Sequence, residues 1–558
     1  MSDDIGPINL DLLERIPLTV RALLDVGCGD GALIGEFRRR NPATHTVGIE
    51  RDPALAAMAA EQMAEVHVVD LEADPCPYGA QTFDCIIYND ILEHLAQPWE
   101  VIRRQIESLT PDGCIVLCVP NLEHWSFTEK LLRGTWDYEG NGLLDRDHLR
   151  WFRRQTLYQG LAQLGLDVQE CLPRVFDRRQ AEEFTRALTP GLRQIGVDAD
   201  ELLTRAAALQ YILVAARRLE PPIEIFSTML PPVGGVSHVR VIEPMRAMGS
   251  LRGVTTRVVQ SLPPPPTDAT PHIFSFHRPA LLDAGGLVPL RDALGRGFLL
   301  TCEFDDHPDY IPALMGGQVQ NFRAVHAVQT STETLAALLR EQNPEVAVFT
   351  NAVARLPDVR NYQNPDRVTM FFAGINRQDD WPPYVRAING VCGVVGERLH
   401  LRIVGDRGFF DALETPHKSF TPLCDYATYN ALLAGSDISF MPLVDNPFNR
   451  CKSDLKFIEA AAHRVTALAS PIAYAATVED GVTGVLFDGP ADLRNRLLRL
   501  VVNPEAGREL ADAARRYVIQ ERMLAYQIAQ RVAWYRSLWT RKPELDAALY
   551  TRVPELRR

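Results

Sequence analysis

Residues 23–37, LLDVGCGDGALIGEF, decide how the first half of the chain is read. The apolar run Ala22-Leu23-Leu24-Asp25-Val26 predicts a buried parallel strand, and the residues after Gly31 predict an amphipathic helix. Between them Gly27-Cys28-Gly29-Asp30-Gly31 forms a turn whose glycines accept positive φ and, lacking Cβ, let backbone approach a ligand. A tight strand-to-helix turn with no ligand is the plainer reading of these five residues alone.

The residues downstream choose between the two readings. Thr46-Val47-Gly48-Ile49-Glu50 predicts a second strand, ending in an acid 19 residues beyond Gly31. At the tip of the second strand of a doubly wound sheet, an acid accepts hydrogen bonds from the ribose hydroxyls of a bound nucleoside. Val66-His67-Val68-Val69-Asp70 repeats the pattern, residues 83–88 (FDCIIY) run into Asn89-Asp90, and residues 114–119 form a fifth strand closed by Pro120. Helical stretches at 54–64 and 98–109 alternate with these strands, which predicts an α/β parallel sheet with its ligand site beyond the carboxyl ends of the strands. Gly27, Gly29 and Ala32 also satisfy the loose dinucleotide fingerprint, but carboxylates in this position suit ribose hydroxyls and a cationic donor and would repel a pyrophosphate.

The acid Asp25 before the first glycine, the third glycine at Gly31 and Asp70 closing the third strand together resemble class I S-adenosylmethionine-dependent methyltransferases, whose sheet is Rossmann-like and seven-stranded. FDCIIYNDILEHL (83–95) and LLDRDHLRWF (143–152) are similar to the subgroup that methylates small molecules and glycans. The resemblance implies that Glu50 holds the ribose, Asp70 and Leu71 bracket the adenine, Asp25 with Gly27, Cys28, Gly29 and Gly31 lines the methionine part, and Asn89 stands behind the sulfonium. Methyl transfer to a hydroxyl also needs in-line placement and a base. His148 is the first candidate for that base, in the segment expected to roof the pocket, and His94 after the fourth strand is the second. Residues 166–171 and 210–217 predict a final antiparallel pair, with a charged helical insertion at 177–208 serving as a lid or cap.

Glu220-Pro221-Pro222 marks a boundary, because paired prolines stop helix and sheet alike. Beyond it the alternation starts again: a strand from 223, a glycine turn at Gly234-Gly235, a helix at 238–248, strands at 256–260 and 272–276, a stiff proline loop at 263–266, and strands at 298–302 and 324–330. A second set runs from Val368 through FFAGINRQDDW (371–381), LRIVGD (401–406), DISFMPL (437–443) and CKSDLKFIEAAAHRVTALASPIAY (451–474). Two lobes of about 150 residues, joined near 362–367, predict a cleft.

This half resembles retaining glycosyltransferases of the two-lobed B type, close to the family-four group and to members in bacterial surface-polysaccharide pathways, most clearly in SDLKFIEAAAHRVTALAS followed by EDGVTGVLF (479–487). The resemblance implies a nucleotide-sugar donor, with Arg377 and Lys456 on its diphosphate, Lys452 or Lys456 supplying the charge of a family lysine that is absent here, Glu459 on the nucleotide ribose, and Gly234 and Gly235 letting backbone approach the diphosphate from the first lobe. Such cations stabilise a leaving diphosphate without a metal, and no metal site is expected. Two positions depart from the family: Cys451 stands where the first glutamate of E-x₇-E belongs, and Gln378-Asp379-Asp380 lacks the lysine that follows the arginine. Asp305-Asp306 invites a metal reading, although an acceptor-side or loop-ordering role is favoured in a two-lobed enzyme, and His277-Arg278 are further cleft candidates. Residues 523–538 predict an amphipathic helix crossing back to brace the first lobe.

Composition limits the alternatives. With 46% hydrophobic and 23% charged residues in 558 the chain is globular, and a net charge of −13 argues against a nucleic-acid partner. The ten cysteines form no CxxC pairs, so neither a zinc site nor a disulfide framework is expected. No run approaches ~18 apolar residues, and the opening MSDDIGPINL is acidic, which points to the cytoplasm and leaves only peripheral contact with a membrane. The expected layout is a methyltransferase domain at 1–218, an acceptor lobe at 219–365 and a sugar-nucleotide lobe at 366–558. The leading functional expectation is a bifunctional methyltransferase and glycosyltransferase acting on a surface glycan or glycolipid acceptor. The alternatives are an active methyltransferase fused to a non-catalytic glycan- or nucleotide-binding module, and a small-molecule methyltransferase whose fusion partner is unrelated in pathway.

Overall fold

The computed structural model describes residues 8–140, 142–231, 235–359, 362, 367–375 and 377–557. Gly234 and positions 363–366 of the expected hinge lie outside the described residues. The chain packs as two compact units, residues 1–221 with 249–253, and residues 222–248 with 254–558.

The first unit is built on seven strands: β1 (Ala22–Val26), β2 (His45–Glu50), β3 (Glu65–Val68), β4 (Phe83–Asn89), β5 (Leu109–Pro120), β6 (Asp167–Arg174) and β7 (Gln210–Ala216). Their order is β3-β2-β1-β4-β5-β7-β6, with β7 antiparallel to both neighbours and every other pair parallel. The uninterrupted apolar runs of β1, β4 and β5 are buried on both faces, Leu23, Leu24, Ile86, Ile87, Val116 and Leu117 being fully enclosed. Because the sequence switches direction on either side of β1, the carboxyl tips of β1, β2 and β4 meet: Val26 is in register with Ile49 on one side and Tyr88 on the other. The predicted antiparallel pair is present. The expected insertion at 177–208 is two helices, Arg178–Gln194 and Ala199–Ala206, each opened by an aspartate whose side chain accepts a backbone N–H. The expected helix at 54–64 ends early, at Pro53–Ala59, and Asp70 falls in a turn just beyond β3.

The second unit holds two parallel six-stranded sheets. In the first lobe β8 (Ile223–Ser227), β9 (Val254–Val258), β10 (His272–His277), β11 (Leu299–Glu303), β12 (Ala327–Thr330) and β13 (Val346–Val348) run in the order β13-β12-β11-β10-β8-β9. In the second, β14 (Val368–Ala373), β15 (Leu399–Val404), β16 (Lys418–Thr421), β17 (Ile438–Met441), β18 (Thr466–Ala469) and β19 (Val485–Leu486) run β16-β15-β14-β17-β18-β19. These are the Rossmann-like lobes expected for the B-type architecture.

The predicted return of the chain to the first lobe is made in three pieces, the turn Leu524–Tyr526 and the helices Ile528–Thr540 and Lys542–Arg552. Tyr535 Oη donates to Gln329 Oε1 at 3.0 Å, and Leu549, Val553 and Leu556 complete the first lobe's apolar core. That core also surrounds an ion pair: Arg240 Nε donates to Glu303 Oε1 at 2.8 Å, each side chain 1% exposed, while Nη1 of the same arginine donates to Phe349 O and Asn351 Oδ1.

Candidate active sites

In the first unit the loop after β1 is held by the tip of β2. Gly27 N–H and Cys28 N–H both donate to Ile49 O, at 2.8 and 3.0 Å. The Glu50 carboxylate then accepts three backbone N–H groups, from Gly29 to Oε2 at 3.0 Å and from Arg51 and Asp52 to Oε1 at 2.8 and 3.0 Å. Gly27, Gly29 and Gly31 adopt φ of +76°, +56° and +79°, conformations that L side chains resist. A Cβ on Gly27 would stand 2.7 Å from Ile91 Cδ1, whereas a Cβ on Gly29 would meet nothing within 4 Å. The loop is therefore packed beneath and open above.

Asp25 lies under this loop, 2% exposed, and its Oδ1 has no hydrogen-bond partner among the described residues. Burial, reinforced by the nearby Glu50 charge, pushes its carboxyl up to about 7. Asp70 Oδ1 accepts from Glu72 N–H at 2.9 Å, which fixes the turn that presents Leu71, whose carbonyl is bound by Arg104. Asn89 Oδ1 accepts from Asn9 Nδ2 at 2.9 Å. The expected cofactor residues thus share the carboxyl edge of the sheet: Asp25 near the end of β1, residues 27–31 in the loop after it, Glu50 and Asn89 closing β2 and β4, and Asp70 and Leu71 just beyond β3. Cys28 lies in the same loop, its buried thiol raised in pKa and directed at the Cβ-less side of Gly48.

His94 and His148 are 54 positions apart in sequence, yet their rings face each other at a centroid distance of 4.8 Å and 70°. The pairing depends on Glu93, whose carbonyl accepts the N–H groups of Leu149 at 2.7 Å and Arg150 at 3.0 Å, pinning the roof segment to the turn after β4. Burial, then the neighbouring His94, lowers the pKa of His148, so the ring is neutral at pH 7 with a nitrogen able to accept a proton. The Glu93 side chain is enclosed, its Oε2 has no partner among the described residues, and burial raises its carboxyl.

In the second unit the two lobes face a cavity of ≈ 380 Å³, lined by Gly235, Arg377, Lys452, Lys456 and Glu459 among others. The helix Leu455–Ala462 presents Lys456 and Glu459, and it is anchored where it starts: Asp454 is bound in a bidentate pair by Arg522, whose Nη2 also donates to Asn351 O at 2.8 Å. Burial, with Arg377 adding to it, lowers Lys456 to about 7, and its ammonium donates to Ala373 O. Arg377 Nη1 donates to Asp380 Oδ2 and Asn449 Oδ1, both at 3.0 Å. Lys452 pairs with Asp306, which together with Asp305 also receives Arg278.

Two observations bear on the roles that the resemblance implies for this cleft. Glu459 already accepts the hydroxyls of Tyr426 at 2.8 Å and Tyr429 at 2.9 Å, and the Tyr426 ring leaves so little room beside Gly235 that a Cβ there would lie 2.9 Å from it. Cys451 is 1% exposed within the apolar core of the first lobe and is not among the residues that line the cavity.

Residues 7–170 match the family model described as methyltransferase domain. The first unit carries a methyltransferase domain. Trans-aconitate 2-methyltransferase from Escherichia coli O139:H28 is 30% identical over 114 residues, covering 20% of this chain and 44% of that protein. The chain thus spans less than half the length of that relative. Ubiquinone biosynthesis O-methyltransferase from Marinobacter nauticus is 29% identical over 177 residues, 30% of this chain and 73% of that protein. The solved structure of Anabaena HepE in complex with UDP and glucose covers 56% of this chain and 99% of its own, with 13% identity and a TM-score of 0.39.

Several residues of the methyltransferase domain were not legible as site residues. Asn9 caps a helix of only four residues, Leu10–Leu13, too short to carry a periodic signal, and joins it to Asn89. Asp90 has φ of +52° and accepts from Gln210 Nε2 at 2.7 Å, a contact across 120 positions. Glu93 adjoins His94, so its sequence position was visible, but its enclosure depends on the distant roof segment. In the cleft, Tyr426 and Tyr429 stand three apart on the helix Tyr426–Ala434, a spacing that puts both hydroxyls on one side.

Proposed function

We propose that the chain transfers a methyl group from S-adenosylmethionine to an oxygen acceptor and a sugar from a nucleotide sugar, both in assembly of a surface polysaccharide or glycolipid, with domains at 1–218, 219–365 and 366–558. The observation that carries the methyltransferase half is Asp25, a buried carboxyl near the end of β1 with one oxygen lacking a partner among the described residues, close to the glycine loop and to a ribose-ready Glu50. Such an orphaned carboxyl, in its ionised form, fits the positive charge of S-adenosylmethionine, which when bound supplies an electrophilic methyl group. Glu50, held by three N–H groups, is oriented to accept ribose hydroxyls without rearranging. Asp70 and Leu71 would bracket the adenine, and Asn89, fixed by Asn9, would stand behind the sulfonium. The Glu93–His94–His148 cluster, at the tip of β4, is where the acceptor hydroxyl loses its proton. The similarity to an O-methyltransferase over 73% of that relative's length supports an oxygen acceptor.

For the second unit, Arg377 and the buried Lys456 support diphosphate binding, because an anion beside Lys456 restores the charge that burial suppresses. A second reading, that this unit binds a nucleotide or glycan without catalysis, is favoured by the buried Cys451 and by the tyrosines that occupy Glu459. Thermal shifts of the full chain with S-adenosylhomocysteine and a panel of nucleoside diphosphates separate the readings. Stabilisation by both ligand types, with hydrolysis of a sugar nucleotide, is expected for the bifunctional enzyme. Stabilisation by S-adenosylhomocysteine alone refutes it, and nucleotide binding without sugar release selects the binding module.

A further inference from the structure

We propose that Glu93, His94 and His148 form a binding site for a divalent first-row transition cation in the methyltransferase domain. One nitrogen of each imidazole and an oxygen of the carboxylate all lie within 4.8 Å of one another. Two imidazoles and one carboxylate are a common ligand set for catalytic Zn²⁺ and for other first-row cations that keep open positions.

The surroundings prepare all three groups for that role. His94 Nδ1 lies 3.2 Å from Asp147 O, and His148 Nδ1 lies 3.3 Å from Leu143 O. A backbone carbonyl at Nδ1 selects the tautomer protonated there and leaves Nε2 with a free lone pair, which is how proteins orient metal-binding histidines. Glu93 is 1% exposed, and its Oε2 has no partner among the described residues, a costly state that a cation would relieve. The N–H groups of Leu149 and Arg150 on Glu93 O hold the two contributing segments together. Bonds of ~2.0 Å in tetrahedral geometry place ligand atoms ~3.3 Å apart, so the separations here contract by at most about 1.5 Å. His148 sits on an irregular segment, where such an adjustment costs less than in a helix or strand.

The site deepens the methyltransferase reading and rests on it for its chemistry. An acceptor hydroxyl, placed on the cation, gives its proton to the bound hydroxide, which leaves as water. The oxygen lone pair then forms the new O–CH₃ bond as the C–S bond breaks, and that electron pair remains on sulfur in S-adenosylhomocysteine. A hydroxyl with a neighbouring oxygen, as in a vicinal diol, would occupy two open positions and select its own class of acceptor.

The test uses the full chain, freed of metal by chelator dialysis and titrated with Zn²⁺ and with Co²⁺, with bound metal counted by elemental analysis and Co²⁺ followed by its ligand-field absorption. One cation per chain is expected, with intense Co²⁺ absorption indicating four or five ligands including imidazole. The His94→Ala, His148→Ala and Glu93→Gln variants should each lose more than about 100-fold in affinity, beyond what outer-shell changes remove. S-adenosylhomocysteine affinity is measured on the same samples to show that the variants are folded. A cation bound and lost in the variants supports the site even where no acceptor is methylated, an outcome that would remove only the acceptor chemistry. Failure of the wild-type chain to bind either cation, or binding unchanged by all three substitutions, overturns the proposal. Methyl transfer that persists without bound metal overturns the acceptor chemistry alone and leaves proton removal to the side chains of the cluster.

Discussion

Replacing Asp25 by asparagine should make the ligand-free protein more stable and its cofactor binding weaker, and both effects should depend on pH. The carboxyl is raised from an ordinary value near 3.8 to about 7, through burial first and the Glu50 charge second. Between those values the folded chain holds a proton that the unfolded chain has lost. The favourable contribution is thus complete below about pH 4 and falls by about 1.4 kcal/mol per pH unit until about pH 7. Asparagine carries no such titration. From pH 5 to pH 8 the stability of Asp25→Asn relative to wild type should therefore grow by about 3 kcal/mol, or about 6–12 °C in melting temperature for a unit of this size. The assay is differential scanning calorimetry of the full chain, following the transition that shifts with S-adenosylhomocysteine. Ligand affinity should move the other way: loss of a charged hydrogen-bond partner costs about 1.5–3 kcal/mol, or about 10- to 150-fold. In the wild type, affinity should rise as pH increases through 7 and Asp25 ionises. A variant equally stabilised at pH 5 and pH 8, or one whose cofactor affinity is unchanged at pH 8, would refute the argument.

Three further perturbations probe other parts of the structure. Gly27→Ala places a Cβ 2.7 Å from Ile91 Cδ1 at a φ of +76°; strain and overpacking should together cost about 2–4 kcal/mol, read as a lower melting temperature of the same transition. Because Lys456 is lowered to about 7 and a phosphate selects its charged form, UDP affinity measured by calorimetry should strengthen as pH falls from 8 to 6, and Lys456→Met should abolish that dependence. Arg240→Met strands the buried Glu303 carboxylate and should cost the second unit about 3–5 kcal/mol in chemical denaturation. The double substitution with Glu303→Leu should recover most of that loss.

How much of this was visible in the sequence depended on whether the physics was local. The glycine turn at 27–31 and the acids Asp25, Glu50 and Asp70 were legible because the strand period and the glycine requirement act within a few residues, and their shared edge follows from sheet topology. The two parallel lobes were legible for the same reason. Pairings across long separations were not. His94 and His148 stood out separately, but their contact depends on backbone bonds from Leu149 and Arg150 to Glu93, which no periodicity encodes. The capture of Glu459 by Tyr426 and Tyr429 was equally hidden. Helix ends moved wherever a cap or turn decided them, as at Pro53–Ala59 and in the segmented return at 524–552.

The central claim is that the carboxyl edge of the first sheet holds S-adenosylmethionine, with Glu50 on its ribose. Calorimetric titration of the full chain with S-adenosylhomocysteine and with its 2′-deoxy analogue, on wild type and Glu50→Ala, tests it most directly. One molecule per chain is expected, with about a 10-fold or greater preference of the wild type for the ribose form, from the lost charged hydrogen bond, and no preference in the variant. Equal binding of the two ligands by the wild type, or no binding at all, would contradict it.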